Sequence, residues 1–371
     1  MRVRLAYGKT GLRVDLPEGD VTVVEARYVP GLPKEGEALR AALRAPIGCA
    51  PLHELVSADD TVAIVFSDIT RPQPRERMLP VLLEELVHVP RERIVLINGL
   101  GTHRPNTPSE LETMLGREIV QGHRVVQHNA WDGECLLPVG RTRRGHEVRL
   151  NADYLRASVR ILTGFIEPHF FAGFSGGPKA VLPGIAAQEA VLANHDAQMI
   201  AHPSATWGVT EGNPVWEEMR EVALLSRPTF LYNVALNREQ AITGVFAGEM
   251  LAAHAAGTRF VGTTALVPVP EPFDIVLTSN AGYPLDLNLY QTVKGMAAAA
   301  QVVRPGGAII VVAECWDGIP DHGAYGRILQ EAETPRALLE RISACQGVEH
   351  DQWQAQIQAQ IQCRAEVHVY S

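Results

Sequence analysis

Cysteine is scarce in this chain. The five present in 371 residues, Cys49, Cys135, Cys315, Cys345 and Cys363, are odd in number, scattered, and form no CxxC pair. Neither a disulfide framework nor a thiolate zinc site follows, and a reducing cytoplasm is the expected setting. Basic charge is also short, since 33 Lys and Arg against 42 Asp and Glu give a formal net charge of −9. Nucleic acid and anionic membrane need a basic surface and are therefore excluded as main partners. A small anionic ligand is not, because a pocket can be locally positive on a negative protein. No apolar run of about 18 residues is present to span a bilayer. The opening MRVRLAYGKTGLRVDLP lacks the apolar core of a signal peptide. There is no HExxH pair, which leaves a conventional zinc hydrolase poorly supported, and no GxxxxGK[ST] phosphate loop. No internal repeat is found.

What is present is an alternation of strand-like and helix-like segments. The first 30 residues read as short strands broken by Gly and Pro. Continuous apolar runs at Asp60–Ser67, Arg93–Asn98 and Ser158–Thr163 suit strands buried on both faces. Helices are expected over Arg75–Val87, from the capping box Thr107-Pro108-Ser109-Glu110 to about Leu115, and over Ala186–Ala193. This rhythm implies an α/β protein with mostly parallel sheets flanked by helices. A Pro-rich stretch, Val267–Pro272, reads as a hinge between a domain over 1–266 and a smaller one over 267–371. The second domain shows strands at Asp274–Ser279, Ala308–Ala313 and Ala365–Tyr370, with helices over Asn288–Val302 and a polar, Gln-rich Asp351–Ile361.

Four segments follow strands, where open α/β sheets bind their ligands. After the first strand comes Asp68-Ile69-Thr70-Arg71-Pro72. Pro72 favours an extended Arg71, whose guanidinium suits a bidentate grip on a carboxylate. A plain Asp68–Arg71 surface pair is the competing reading. After the second strand, Gly101-Thr102-His103-Arg104-Pro105 places His103 in a loop, as an acid/base candidate or simply a solvated side chain. The densest segment runs from Gly164 to Gly184 and contains PHFFAGFSGGPK. An apolar, aromatic loop interrupted by His169 and Lys179 reads as a pocket wall. Lys179 is a candidate covalent anchor there, with snorkelling to solvent as the alternative. The turn Ser175-Gly176-Gly177 can offer N–H groups to a phosphate. Lastly, Tyr290, Gln291 and Lys294 share a helix face that can meet an anion, or can equally be an exposed face. His195 closes the helix after the glycine-rich loop and, taken alone, reads as a cap.

Together and in this order, these segments resemble the lactate racemase family that depends on a nickel-pincer nucleotide. The resemblance rests on DITRP at 68–72, GTHRP at 101–105, the block from Pro168-His169 through Lys179 to Pro183-Gly184, His195, and YQTVK at 290–294. It implies an active site in the cleft between two α/β domains. It implies a cofactor, the nickel-bound pyridinium-3,5-bisthiocarboxylic acid mononucleotide, carried covalently by Lys179, with His195 as the protein's nickel ligand. It makes His103 and His169 the acid/base pair, places Arg71, Gln291 and Lys294 on the substrate, and puts Tyr290 near the pocket. Asp68, Thr70, Ser175, Gly176 and Gly177 are expected near the cofactor, the last three or the Thr70 loop on its phosphate. The implied reaction inverts C2 of a small 2-hydroxy acid by proton-coupled hydride transfer, with separate maturation enzymes supplying the cofactor. Another hydride-shuttling isomerase, a lyase on the same cofactor, or a non-catalytic binder of an anionic metabolite are the alternatives. Arg104 is the one extra cation suited to a second substrate carboxylate, but it belongs to the shared motif and does not discriminate. The second domain reads as short for the family, since the chain stops at Ser371 directly after a strand.

Overall fold

The computed structural model describes residues 1–320, 323–345 and 347–371. The chain forms two compact units, one of Ala26–Asn194 with Gly208–Leu266, the other of Met1–Glu25, His195–Trp207 and Val267–Ser371.

The first is built on a six-stranded sheet in the order Ile242–Gly248, Phe230–Leu236, Val159–Phe165, Val62–Ser67, Ile94–Gly99, Arg124–Gln127. All neighbours run parallel except the edge strand Ile242–Gly248, which is antiparallel. Its central members are the apolar runs of the sequence, VAIVFS and VRILTGF among them, and they are buried on both faces as a helix-covered parallel sheet requires. Apolar stripes of the helices Glu35–Arg44 and Arg75–Glu85, including Leu39, Leu43, Met78, Leu79 and Leu82, close one core with Phe66, Ile161 and Phe230. Thr107 caps the helix Pro108–Leu115 with the expected reciprocal bond to Glu110.

From Val62–Ser67 the chain steps outward to Ile94–Gly99 and Arg124–Gln127, then returns to lay Val159–Phe165 on the other side of Val62–Ser67. The strand order therefore reverses between Val62–Ser67 and Val159–Phe165. That is the switch point at which loops diverge from the carboxyl edge and leave a crevice. The loops leaving these two strands carry Asp68–Arg71 and His169–Lys179.

The other unit holds a parallel three-stranded sheet, Phe273–Ser279, Val303–Val312 and Glu366–Tyr370, with a hairpin of Arg2–Leu5 and Leu12–Asp15. The division is therefore not a single cut at 266/267. Hydrogen bonds bring the N-terminal hairpin to the C-terminal segment, since Gly8 N–H donates to the buried Asp286 at 2.7 Å and Tyr283 N–H donates to Gly8 at 2.9 Å. The residues after Asn194 join the same unit, with Gln356 donating to Ala197 O at 2.7 Å and Trp353 lying 5.0 Å from the His195 ring.

The Gln-rich helix spans Gln352–Arg364 and lies in the interior. Gln354, Gln356 and Gln358 are at most 7% exposed. Each spends its amide on a partner: Gln354 donates to Tyr290 O at 2.6 Å, Gln356 to Ala197 O, and Gln358 accepts from the Tyr325 hydroxyl. A buried amide is tolerated where its hydrogen bonds are made. Among the described residues no helix is long and apolar enough to cross a membrane.

Candidate active site

The loop after Val62–Ser67 is heavily tied. Gln73, buried, accepts from Ser67 N–H at 2.9 Å and Ser67 Oγ at 2.6 Å, and donates to Thr163 Oγ1 at 2.8 Å on the adjacent strand. Arg75, also buried, sends both terminal nitrogens to the Arg71 carbonyl at 3.1 Å. These bonds fix the backbone around Asp68 and Arg71.

Asp68 is buried and accepts from Thr70 Oγ1 at 2.9 Å and from His103 Nδ1 at 2.8 Å. Burial pushes its carboxyl up. The His103 hydrogen bond, the charges of His103 and Arg71, and the Thr70 hydroxyl outweigh it and hold the carboxyl below its ordinary value. Asp68 therefore pairs with His103 and feels Arg71 through its charge. The His103 side chain is 41% exposed against 3% for Asp68, so the imidazole reaches out from a buried carboxylate. Because Nδ1 donates to Asp68, a neutral His103 keeps its lone pair on Nε2.

His103 owes its place to the turn before it. Gly101 takes a φ of +55° and donates to Gly184 O at 2.9 Å, which ties the GTHRP loop to the end of the glycine-rich segment. Arg104 forms a two-pronged pair with Glu110 at 2.9 and 2.7 Å and holds that carboxyl down to about 2. Its guanidinium is thereby engaged at the helix cap.

In the glycine-rich segment, Pro168–His169 pairs with Gly173–Phe174 as a minimal hairpin. His169 Nδ1 accepts from Ala172 N–H at 3.2 Å and Phe171 N–H at 3.5 Å, which places the proton of a neutral ring on Nε2. The rings of Phe170 and Phe171 lie 4.9 and 4.5 Å from the imidazole. Lys179 Nζ stands over the Phe171 ring at 5.5 Å. The turn Ser175-Gly176-Gly177 is largely committed to the protein itself. Ser175 N–H donates to Glu167 O at 2.9 Å, Ser175 Oγ to Phe165 O at 3.0 Å, and Gly177 N–H to Asn233 Oδ1 at 2.9 Å.

This unit thus brings together Asp68, Thr70, Arg71 and His103, and joins His169 to Lys179 through Phe171. Tyr290, Gln291, Lys294 and His195 belong to the other unit. There Asn288 caps the helix Leu289–Ala299 by accepting from Gln291 N–H at 3.1 Å, and Lys294 Nζ donates to Gln291 Oε1 at 2.7 Å. Tyr290 meets the ring of Tyr325 edge-on at 5.3 Å. His195 is buried at 4% exposure against Trp353. Among the described residues no group of three or more His, Cys, Asp or Glu is arranged to hold a metal ion.

Sequence reasoning missed Gln73, Arg75, Asn233, His254 and Trp353. Asn233 and His254 did leave a signal, as lone polar residues inside the apolar runs FLYNVAL and MLAAHAAG.

A buried carboxylate behind an exposed imidazole, and a lysine on an aromatic-walled turn, both stand on loops at the carboxyl edge of a mostly parallel sheet, where α/β enzymes place their active sites. Comparison with known proteins makes the class specific. Residues 7–208 match the lactate racemase N-terminal domain and 269–371 the lactate racemase C-terminal domain. A lactate racemase of Thermoanaerobacterium thermosaccharolyticum is 37% identical over 366 residues, 97% of this chain and 85% of that protein. One from Lactiplantibacillus plantarum is 39% identical over 330 residues, 88% of this chain and 77% of the relative. The solved lactate racemase apoprotein from Thermoanaerobacterium thermosaccharolyticum superposes with a TM-score of 0.92 at 35% identity, covering 100% of this chain and 88% of its own. A Thermotoga maritima protein, TM-score 0.70 at 18% identity over 90% of this chain and 87% of that one, shares the fold. The chain belongs to the lactate racemase family and is an isomerase of the racemase type.

Proposed function

We propose that the protein inverts C2 of a small 2-hydroxy acid, lactate being the first to test, by proton-coupled hydride transfer with a nickel-pincer nucleotide joined to Lys179. The observation that carries this reading is the Asp68–His103 pair at 2.8 Å on the switch-point edge whose neighbouring loop bears Lys179.

The residues fit such a group. Lys179 stands half-buried on a short turn against Phe171, where an amine is partly shielded from water. His195 offers one imidazole. A nickel ion whose other donors would come with its cofactor would need no further protein cluster, and mixed nitrogen and sulfur donors suit Ni(II). When bound, the cofactor supplies the acceptor for the hydride that leaves C2 and gives it back.

The protein's own side chains handle the proton and the carboxylate. His103 Nε2 takes the hydroxyl proton as a base, and the Asp68 carboxylate stabilises the imidazolium that results. His169 serves the opposite face of the substrate. To take or give a proton at Nε2, its ring exchanges the two backbone contacts at Nδ1 for a proton there. Arg71, fixed through its carbonyl by Arg75, is assigned to the substrate carboxylate, and Gln291, Lys294 and Tyr290 of the helix Leu289–Ala299 are assigned to substrate binding by the family resemblance. That grip holds the planar 2-keto acid while it turns over between the two histidines. With Ser175 and Gly177 turned inward, the Thr70 loop and Gly176 are the parts assigned to the cofactor phosphate.

Intact-mass analysis with nickel determination, on protein co-expressed with cofactor-making enzymes, tests the reading. The expected result is a stable adduct on Lys179, stoichiometric nickel, and interconversion of D- and L-lactate on a chiral column. Absence of adduct and nickel, under conditions that load a known relative, sinks it.

A further inference from the structure

Two buried polar side chains have no part in the chemistry described so far, yet both are directed at the turn that leads to Lys179. Asn233 lies in the strand Phe230–Leu236, paired with Gly164 of the neighbouring strand, and is 0% exposed. Its Oδ1 accepts Gly177 N–H at 2.9 Å. His254 lies in the helix Met250–Ala265, is 2% exposed, and stacks on Trp216 at 6.2 Å. Its Nε2 donates to Ser175 O at 3.0 Å.

The fit around the turn is tight. A Cβ on Gly176 would stand 2.5 Å from Asn233 Oδ1, and one on Gly177 would stand 2.5 Å from His254 Cδ2. Both glycines take left-handed backbone, at φ +74° and +51°, so the turn uses glycine for space and for conformation together. The chain then enters the short helix Gly177–Ala180, where Lys179 N–H donates to Gly176 O at 3.1 Å. Any slack at Ser175–Gly177 is passed to Lys179, which follows two to four residues later in the chain. An apolar residue at either buried position would avoid the desolvation cost of an amide or imidazole. The polar atoms are kept where they meet this turn.

We infer that Asn233 and His254 are positioning residues that set the Ser175–Gly177 turn so that Lys179 presents its amine to the cofactor. The inference rests on the covalent role proposed for Lys179. His254 stays neutral for this task, because burial lowers its pKa to about 4.

The test compares Asn233→Leu, His254→Phe and His254→Gln with wild type by two readouts. One is occupancy of the Lys179 adduct after co-expression with the maturation enzymes. The other is acylation of Lys179 in the apoprotein by an N-hydroxysuccinimide acetate probe, resolved by peptide mass spectrometry against Lys9 and Lys34. Asn233→Leu and His254→Phe should fold and show adduct formation slowed by roughly 10²-fold, with altered acylation confined to Lys179. His254→Gln, which keeps a donor, should recover most of the loading. Should Asn233→Leu not fold, Asn233→Ser withdraws the acceptor from Gly177 and reads the same loss. Full loading and unchanged acylation in folded variants overturn the inference. If wild type takes no adduct, the covalent reading fails, while the acylation pattern still decides whether these residues place Lys179.

Discussion

His103 Nδ1 donates to Asp68 Oδ2 at 2.8 Å, and the two side chains differ in exposure from 41% to 3%. The carboxylate thus orients an imidazole that itself faces outward. Asp68→Asn keeps the shape but removes the negative charge and can reverse the tautomer. Racemisation should fall by about 10²- to 10⁴-fold with little change in KM. Steady-state kinetics in both directions check this; an unchanged kcat would detach Asp68 from the mechanism.

Asp68 also titrates in a predictable sense. Its folded pKa lies below the ordinary value, so the stability it contributes is present above the unfolded value near 3.9 and is lost as pH falls through the lower folded pKa. Acid unfolding followed by circular dichroism should show a shallower acid limb in Asp68→Asn.

His128 and His254 act earlier on the pH scale. Burial lowers both to about 4, against 6.5 for the free side chain. Between those values the unfolded chain binds more protons than the folded one, so stability falls as pH drops from about 6.5 to 4. His254→Gln should flatten that part of a Tm-against-pH curve.

His169→Ala should abolish racemisation and leave the Lys179 adduct in place, whereas Lys179→Ala should prevent the adduct altogether. Intact mass and chiral chromatography on the same samples separate the two. An active His169→Ala enzyme would remove that residue from the acid/base pair.

Arg75 is a test of preorganisation. Arg75→Met keeps bulk and releases the Arg71 carbonyl. The substrate grip should loosen, raising KM by roughly tenfold with a smaller effect on kcat. At the surface, Thr107→Ala removes a helix cap and should cost about 1 kcal/mol in urea unfolding, with activity retained.

The sequence by itself determined the parts whose physics is local. VAIVFS and RIVLIN are continuous apolar runs of strand length that suit a strand covered on both faces, so the parallel sheet was legible. The Thr107–Glu110 cap was legible because its bonds close within four residues. DITRP, GTHRP and PHFFAGFSGGPK marked the loops to which the proposed chemistry is assigned, since such Gly- and Pro-rich segments cannot continue a strand or helix. Tertiary structure alone decided the partners across long sequence separations. The choice of His103 over Arg71 as the partner of Asp68 depends on two adjacent strands ending at one edge. The inward commitment of Ser175 and Gly177 depends on Asn233 and His254, which arrive from 56 and 79 residues away. The burial of the glutamines of Gln352–Arg364 was not legible, because nothing in a polar helix announces that its amides will find buried carbonyls. Burial of a polar group is set by whether a partner waits at the far end, and the chain must fold before that partner exists.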